Sequence, residues 1–575
     1  MRASFTSTLA VSAAFSSVAA TCTKSRATAS SIGNGTYDYI VVGGGPSGII
    51  AATRLAQSSS KSVLLLSRGQ GPTVGTGAVG TVGFNNSLSP IDVPGLSTAV
   101  TSYNVGDQPL FQAYLCSDVD AFAACVFGGG ASINYMVFPH PPEHDFDDKW
   151  PAEWKWDDIS AAADRVWDLN PGTMLPSMDG KRYDQGMFET VSKFLDAQGW
   201  SEVNQTEEPN KKTKVYSYPN WDIGVSEGLP ERVGPLRTYL PLAEKLENFS
   251  YRLNSTVRRV VRNGGRITGV EVETESGLET VSLATDGKVV LAAGPWGTPR
   301  ILFNSGIGPA EQIQTVADGT TGITVPPKED WINLPVGQAI KDHPIFSVYV
   351  QTPDNWTSFN TSTVVDGTNL NDIELYTQEG SGVLSQGYHR MIFWTSNVAS
   401  DNITRYYQGS VSPQGPGLFL IKAYLTHGAT SSGKMGIYAN GTVGYTQMPY
   451  LQTQGDQEGA KMFVDELIES VSSYGWELTQ GTTNASSILS AYTQGDHYVG
   501  TANIGTDPKT SVVDTNVKVW GTDNLYIVDS SIHADLPTGN TQAITMVVAE
   551  AAVEKIIAAS KATPGSPSQL KRRHH

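Results

Sequence analysis

Apolar residues near the start of the chain form two short, uninterrupted runs with a helical pattern between them. The runs Tyr39–Val42 and Ser62–Leu66 are typical of buried parallel strands. Between them, apolar side chains recur at helical spacing over Ile49–Leu55. The pattern therefore predicts a strand–helix–strand unit over residues 37–69.

Further along the chain, the hydrophobic pattern predicts more strands and a long helix. Apolar and polar residues alternate over 245–292, which indicates strands joined by glycine-containing turns. Residues 524–530 predict a buried strand, and residues 541–560 predict an apolar helix. Residues 311–494 carry strand-like and amphipathic segments and are expected to form a separate sheet-containing domain. Residues 70–115 are rich in Gly, Ser, Thr and Pro, and predict a long ordered loop of the kind that crosses over a cofactor.

A glycine-rich turn joins the first predicted strand to its helix. It reads Gly-Gly-Gly-Pro-Ser-Gly, the G-x-G-x-x-G pattern of dinucleotide-binding units. Gly43 permits the tight turn, Gly45 lets the backbone approach a pyrophosphate, and Gly48 lets helix and strand pack closely. Pro46 and Ser47 open the helix, whose free N–H groups attract phosphates. The turn therefore predicts a bound dinucleotide.

Two further stretches bear on this ligand. The second predicted strand ends in Ser67, where the pattern normally has an acidic residue for the adenosine ribose; a serine bond to the ribose lacks charge assistance. Arg68 is expected either to favour a 2′-phosphate or to be a surface residue. A second glycine run, Gly128–Gly130, leads into Ser132 and Asn134 and predicts another close approach of backbone to ligand, with a plain turn as the alternative.

Length and charge restrict the class of protein. A chain of 575 residues is expected to contain two or more domains. The formal net charge of −17 argues against nucleic acid or an anionic membrane as a partner. No run of 18 apolar residues exists, so no membrane span is expected.

The N-terminus and the sequons predict a secreted, extracellular glycoprotein. Residues 1–20 have the order of a signal peptide: Arg2, an apolar region, then small residues before cleavage after Ala20. Ten N-x-S/T sequons agree with secretion: Asn34, Asn85, Asn204, Asn248, Asn254, Asn355, Asn360, Asn402, Asn440 and Asn484.

The three cysteines are suited to an oxidising compartment. Cys22 falls near the predicted new N-terminus, while Cys116 and Cys125 are close enough in sequence to close a small loop. A Cys116–Cys125 disulfide is predicted, with two buried thiols as the alternative. Because no zinc spacing or C-x-x-C pair exists, no metal site is expected.

The chain resembles the glucose–methanol–choline (GMC) flavoprotein oxidoreductases from about residue 37 to residue 558. Residues 294–308 fit the second signature of that family at every defined position. Residues 128–134 nearly meet the first signature, with Phe138, Pro141 and Asp147 in register; Phe127 and Ala131 depart from it.

The resemblance is nearest to the flavin domain of fungal cellobiose dehydrogenases. The shared features are the C-x8-C pair and the stretches 331–337 and 404–409. Too few residues precede the first strand for a haem domain. Ser412 and Asp496 differ from the sugar-contacting arginine and the asparagine expected there, so cellobiose is a doubtful substrate.

The resemblance implies that the protein has an α/β (α+β) fold with two domains. A Rossmann-like FAD-binding domain would be paired with a substrate domain built on a mainly antiparallel sheet. The FAD-binding domain would comprise residues 36–150, 230–310 and 495–560, and the substrate-binding domain residues 151–229 and 311–494. Residues 561–575 would be a disordered tail.

The same resemblance implies FAD as the cofactor. No histidine lies at the loop position used for covalent attachment in some members, so non-covalent binding is expected. The implied cofactor-binding residues come from the two glycine turns, the strand ends and the start of the last helix: Gly43, Gly45, Pro46, Ser47, Gly48, Ser67, Arg68, Gly129, Gly130, Ser132, Asn134, Val257, Asp529, Ser530 and Thr541.

The implied chemistry is oxidation of an alcohol or sugar hydroxyl with hydride transfer to flavin N5. His497 matches the family's base and Asn540 its partner, an amide that holds the substrate oxygen. Asp496 is expected to raise the pKa of His497 by its charge. The other histidines, among them His343 and His389, are expected to be structural.

Two alternatives to a small-molecule alcohol or carbohydrate oxidoreductase stay open. The fold is also compatible with non-redox chemistry, such as dehydration or cyclisation, or with no catalysis. A yellow protein whose flavin bleaches with an alcohol would separate these possibilities. The sequence names neither the alcohol nor the electron acceptor.

Overall fold

The computed structural model describes residues 35–561, except residues 79, 106–107, 147–148 and 480–483. The predicted signal peptide, the sequon at Asn34, the signature residue Asp147 and the tail after residue 561 lie outside the described residues.

The strands, numbered in chain order, are β1 Tyr37–Val42, β2 Val63–Leu66, β3 Asn104–Val105, β4 Gln108–Pro109, β5 Val119–Asp120, β6 Ser201–Glu202, β7 Val215–Ser217, β8 Ile223–Ser226, β9 Leu229–Arg232, β10 Phe249–Arg252, β11 Thr256–Asn263, β12 Arg266–Thr274, β13 Gly277–Leu291, β14 Pro344–Gln351, β15 Met391–Val398, β16 Thr404–Gly415, β17 Leu418–Leu425, β18 Lys434–Ile437, β19 Val443–Gln447, β20 Glu477–Thr479, β21 Thr493–Gln494 and β22 Leu525–Ile527.

The α-helices are α1 Pro46–Ser58, α2 Trp156–Leu169, α3 Gly186–Ala197, α4 Pro235–Thr238, α5 Leu240–Ala243, α6 Gly294–Asn304, α7 Ala310–Ala317, α8 Ser362–Val365, α9 Leu370–Glu379, α10 Gln454–Ser473, α11 Ala485–Ser490 and α12 Gln542–Lys561. The predicted loop over residues 70–115 is irregular, with short 3-10 helices such as Pro94–Leu96 and Leu110–Tyr114.

The first sheet contains the predicted strand–helix–strand unit. Strands β10, β2, β1, β13 and β22 are parallel neighbours in that order, with Val42 paired to Leu66 on one side and to Leu291 on the other. The first half of β13 instead pairs antiparallel with β12, which pairs with β11. Because helices cover this sheet, the side chains of β2 and of residues 39–42 are buried, as expected for parallel strands.

The second sheet is mainly antiparallel. Its order is β20-β14-β17-β16-β15-β7-β6, with β21 beside β14, and among these pairs the β6–β7 pair is parallel. A separate apolar core, which includes Phe346, Phe393, Phe419 and Phe463, packs on one face of the sheet. The predicted fold class, a Rossmann-like domain with a substrate domain on an antiparallel sheet, is confirmed.

The predicted division of the chain into segments stays a prediction, and two contacts cross it. Helix α2 lies in a segment predicted for the substrate domain, yet it packs against α12, and its Ile159 and Val166 belong to the core of the parallel sheet. Strand β19 pairs with β5, which joins the region 434–447 to the first domain. Among the helices that the structure describes, none combines the length and apolar composition needed to cross a membrane.

Candidate active site

A cavity of about 670 Å³ extends from the glycine turn after β1 to the residues predicted to be catalytic. It lies at the carboxyl ends of the parallel strands, where α/β sheets bind ligands. Its wall includes His497 and Asn540. The predicted cofactor residues on this wall are Gly43, Gly45, Pro46, Ser47, Ser67, Arg68, Gly129, Gly130, Asn134, Val257, Asp529, Ser530 and Thr541.

Two predicted cofactor residues, Gly48 and Ser132, do not line the cavity. Gly48 instead packs closely against the chain that follows β1. A Cβ on Gly48 would collide with the carbonyl oxygen of Gly43. The Ser132 hydroxyl is buried and donates to the Phe127 carbonyl at 2.8 Å. Gly48 therefore serves close packing, and Ser132 closes the second glycine turn.

The glycine turn fits a dinucleotide. No side chain caps the N-terminus of α1, which leaves its first N–H groups available to a ligand, and Pro46 and Ser47 at this end of the helix line the cavity. The Ser47 hydroxyl is buried, lies on the cavity wall and has no hydrogen-bond partner among the described residues. Gly130 has open space where a side chain would begin, and the nearest atom to a Cβ on Gly45 would be 4.0 Å away. The orphaned hydroxyl and the open glycines suit a bound phosphate group.

Arg68 is committed to an ion pair. Its guanidinium donates to both oxygens of Asp118, at 3.1 and 3.0 Å, and Arg300 donates to the same carboxylate. Although burial raises the pKa of Asp118, the two arginines hold it below its usual value. Arg68 therefore already has a carboxylate partner, but because Arg300 shares that carboxylate, the cluster of two guanidinium groups and one carboxylate keeps a net positive charge. The 2′-phosphate stays a prediction.

Asp529 lies on the wall but uses its oxygens within the protein. One carboxylate oxygen accepts from the Gly294 N–H at 2.9 Å and from the Thr298 hydroxyl at 2.6 Å, and the other accepts from the Ser531 N–H at 2.9 Å. Asp529 thus ties the end of β22 to the start of α6. Ser530 beside it donates to the Tyr498 carbonyl at 3.3 Å.

The structure brings His497 and Asn540 together. Nε2 of His497 is 3.4 Å from Nδ2 of Asn540, although 43 residues separate them in sequence. His497 follows β21 at the edge of the second sheet, and Asn540 precedes α12 of the first domain. The pair therefore forms where the two domains meet.

Gln408 on β16 fixes the orientation of the Asn540 amide. Its Nε2 donates to Asn540 Oδ1 at 2.7 Å, and its Oε1 accepts from the Asn540 N–H at 3.1 Å. With its oxygen held in this way, Asn540 must turn its NH₂ group toward His497. Gln408 is a positioning residue that the sequence analysis missed.

Replacing Gln408 with leucine is expected to lower the rate of flavin reduction by an alcohol about fivefold, because one hydrogen bond holding the amide is worth roughly 1 kcal/mol. Stopped-flow reduction under anaerobic conditions measures this rate. Gln414→Leu is the matched control, since Gln414 lies on the same strand but donates to Tyr388. Equal effects of the two substitutions would contradict the positioning role of Gln408.

His343 contacts His497 and so differs from its predicted structural role. The two Nδ1 atoms are 3.0 Å apart, so one ring donates and the other accepts. Because the Asn540 NH₂ faces Nε2 of His497, the consistent arrangement has His497 donating from Nδ1 to His343. That tautomer leaves the Nε2 lone pair of His497 directed at the cavity.

Burial, and not Asp496, sets the basicity of His497. Burial lowers the pKa of His497 to about 4. The expectation that Asp496 raises this pKa is therefore wrong. The Asp496 carboxylate instead accepts the Tyr498 hydroxyl at 2.6 Å, and burial raises its own pKa to about 6. At neutral pH, His497 is thus a neutral acceptor.

Asp342 holds the loop that carries His497. Its buried carboxylate accepts the N–H groups of Gly495, Asp496 and His497 at 3.0, 3.2 and 2.7 Å, and the Tyr450 hydroxyl at 2.6 Å. Asp342 belongs to no motif in the sequence. One sequence feature could have indicated its importance: an Asp-His pair directly precedes an apolar strand. Ionisable groups that are buried in this way need dedicated partners.

The cavity thus begins at a glycine turn of the dinucleotide-binding type and ends at a neutral imidazole and an oriented amide. The chain belongs to the GMC oxidoreductase family: one family profile matches residues 37–345 and a second matches residues 449–549. The protein is accordingly an FAD-dependent enzyme acting on CH–OH donors. The nearer likeness to cellobiose dehydrogenase stays a prediction.

Curated relatives match most of the chain at low identity. Dehydrogenase pkfF of Emericella nidulans is 24% identical and covers 90% of this chain and 92% of its own. An oxygen-dependent choline dehydrogenase of Photobacterium profundum is 25% identical, with 93% and 95% covered.

Solved structures share the fold. A formate oxidase superposes with a TM-score of 0.69 at 16% identity, covering 92% of this chain and 98% of its own. A fungal aryl-alcohol oxidase gives 0.67 at 17% identity, with 91% and 99% covered. At these low sequence identities, the similarity to the solved structures shows a shared fold only.

Proposed function

We propose that the protein is a secreted FAD-dependent oxidoreductase that oxidises an alcohol or sugar hydroxyl with His497 as base and Asn540 as its partner. The observation that carries this proposal is the approach of His497 Nε2 to Asn540 Nδ2, 3.4 Å, on the wall of the cavity that begins at the glycine turn. A substrate hydroxyl placed between these two atoms would meet a proton acceptor on one side and an amide donor on the other.

The two side chains have different roles at the substrate hydroxyl. Nε2 of neutral His497 accepts the hydroxyl proton, and Nδ2 of Asn540 donates to the same oxygen and fixes its direction. His343 stabilises the resulting imidazolium by accepting from Nδ1. FAD, when bound, supplies the acceptor for the hydride at flavin N5.

The Gly45–Ser47 turn would hold the FAD pyrophosphate, and Asn134 and the Gly129–Gly130 turn would lie along the flavin. Thr541 immediately precedes α12, and the N-terminus of that helix would place the positive end of its dipole beside the pyrimidine ring. Residues 125–134 contain no histidine, which supports non-covalent binding. Release of FAD on acid precipitation would support this, and flavin retained on the chain would refute it.

Anaerobic titration of the purified protein with a panel of alcohols and sugars tests the proposed function. We expect a yellow protein whose absorbance near 450 nm bleaches with at least one primary alcohol or sugar. A colourless, folded protein, or a flavin that no alcohol reduces, would instead favour non-redox chemistry or a binding role.

The acid limb of the pH profile is a second test, because it reports the free enzyme's base. Since burial lowers the pKa of His497 to about 4, the neutral form persists above that pH, and kcat/KM should decline only as the pH falls through about 4. Asp496→Asn should leave this limb in place. A limb near pH 6.5, the ordinary value for histidine, would contradict burial as the cause.

Secretion is supported by the exposure of six sequons, Asn254, Asn355, Asn360, Asn402, Asn440 and Asn484. Asn248 is an exception, because its amide nitrogen donates to three backbone carbonyls at 2.8–3.1 Å and is unavailable to a glycan. Secreted protein that begins after Ala20 and loses mass on deglycosylation would support this part of the proposal; retention in the cell would refute it.

A further inference from the structure

Lys422 on β17 faces the same part of the cavity as His497. Side chains alternate along a strand, so Lys422 and Tyr424 share one face, while Ile421 and Ala423 enter the core on the other. Both Lys422 and Tyr424 line the cavity, and the Tyr424 ring lies 5.9 Å from the His497 ring. Two strand residues span about 7 Å, so Lys422 lies about one such step along β17 from Tyr424, the residue that contacts His497.

The Lys422 ammonium forms no ion pair or hydrogen bond within the part of the chain that the structure describes. Burial lowers its pKa, and the nearby charge of Asp496 partly offsets this. Lys341, another buried lysine, is by contrast bound to Asp535. A half-buried ammonium without a partner costs free energy that a bound anion would recover.

The other ionisable groups around Lys422 leave this positive charge available. Burial lowers the pKa of His389 to about 3 and that of His497 to about 4, so both are neutral at pH 7. Tyr135 and Tyr424 are neutral phenols there, because burial raises their pKa values. Asp496 accepts the Tyr498 hydroxyl and forms no ion pair with Lys422.

We propose that the alcohol substrate carries a carboxylate that pairs with Lys422 while its hydroxyl lies between His497 and Asn540. This inference rests on the proposed function and adds the substrate class. A single ammonium matches a monoanion. Because Tyr424 lies beside the His497 ring and Lys422 is one strand step further along β17, the geometry favours a carboxylate several bonds from the hydroxyl carbon, as in a hydroxymethyl-substituted aromatic acid, over a 2-hydroxy acid.

The test compares 4-(hydroxymethyl)benzoate with 4-(hydroxymethyl)benzamide, which differ in charge but hardly in size. For each substrate, anaerobic flavin reduction gives a second-order rate constant, and the carboxylate-to-amide ratio is the readout. Lys422→Met should lower this ratio at least tenfold, Lys422→Arg should largely keep it, and Asp496→Asn should raise it severalfold. Lys434→Met, at an exposed strand position, is the matched control and should leave the ratio unchanged.

A binding measurement separates this inference from the proposed function. Benzoate has no hydroxyl to oxidise, and its Kd by calorimetry should rise at least tenfold in Lys422→Met, whereas the Kd of benzamide should change much less. If the ratio and the benzoate Kd are unmoved while amide alcohols still reduce the flavin, the carboxylate proposal is overturned and alcohol oxidation stands. If no alcohol reduces the flavin but benzoate binding depends on Lys422, the oxidation proposal fails and the anion site stands.

Discussion

Replacing His497 with alanine is expected to lower the rate of flavin reduction by an alcohol roughly 10²–10⁴-fold, the usual contribution of a positioned base. The substitution removes the Nε2 acceptor that faces Asn540 and leaves the oriented amide in place, since Gln408 still holds it. Substrate binding should weaken less than the rate, because Asn540 still donates to the substrate oxygen. Stopped-flow reduction over a range of substrate concentrations separates the two effects.

A cavity effect must be distinguished from loss of the base. His533 is also buried but does not line the cavity, so His533→Ala tests whether loss of a buried imidazole alone slows reduction. Added imidazole should partly restore the His497→Ala variant and should not affect the His533→Ala variant. A His497→Ala rate within tenfold of the wild type, with flavin and melting temperature retained, would remove His497 from the base role.

The strand–helix–strand unit at the start of the fold was readable from the sequence because its signals are local. Short apolar runs, a glycine turn and helical spacing lie within residues 37–69, and the structure forms β1, α1 and β2 there. The Cys116–Cys125 disulfide was similarly predictable from short separation and is confirmed. Local patterns report local structure, since neither strand period nor turn chemistry depends on distant partners.

The site could be predicted only in part, because its contacts are long-range. The resemblance supplied His497 and Asn540, but not the side chains that orient them. Gln408 and Asn540 are 132 residues apart, and His343 and His497 are 154 apart. Such long-range contacts depend on how the second sheet packs against the start of α12. Local sequence patterns do not predict that packing.

Two of the predicted cofactor residues have partners within the protein that their sequence positions did not reveal. Ser132 and Arg68 were assigned to the cofactor from their positions beside glycines and a strand end, yet both have protein partners: the Phe127 carbonyl for Ser132 and the Asp118 carboxylate for Arg68. Arg68 still lies on the cavity wall, where it shares the Asp118 carboxylate with Arg300. A polar side chain near a ligand binds whichever partner is nearest, and the sequence did not show that Asp118 approaches Arg68.

Replacing Gly43 with alanine is expected to release FAD, with a fall of at least tenfold in flavin affinity and a lower melting temperature. The backbone of Gly43 has φ of 115°, where side chains are strained, and a Cβ there would collide with the backbone carbonyl of Ala292. Positive φ costs roughly 1–3 kcal/mol and overpacking roughly 1–3 kcal/mol. Together these approach the usual 5–15 kcal/mol of a folded domain.

The collision cannot be relieved by a side-chain rotation, because both partners are backbone. The Ala292 N–H donates to the Val42 carbonyl at 2.7 Å, which locks the end of β13 against β1. The turn itself must therefore move, and it carries the N–H groups at the start of α1 with it. Gly75→Ala is the control, since Gly75 is exposed with open space around it. If Gly43→Ala bound stoichiometric FAD and melted with the wild type, the tight turn would not be what holds the pyrophosphate.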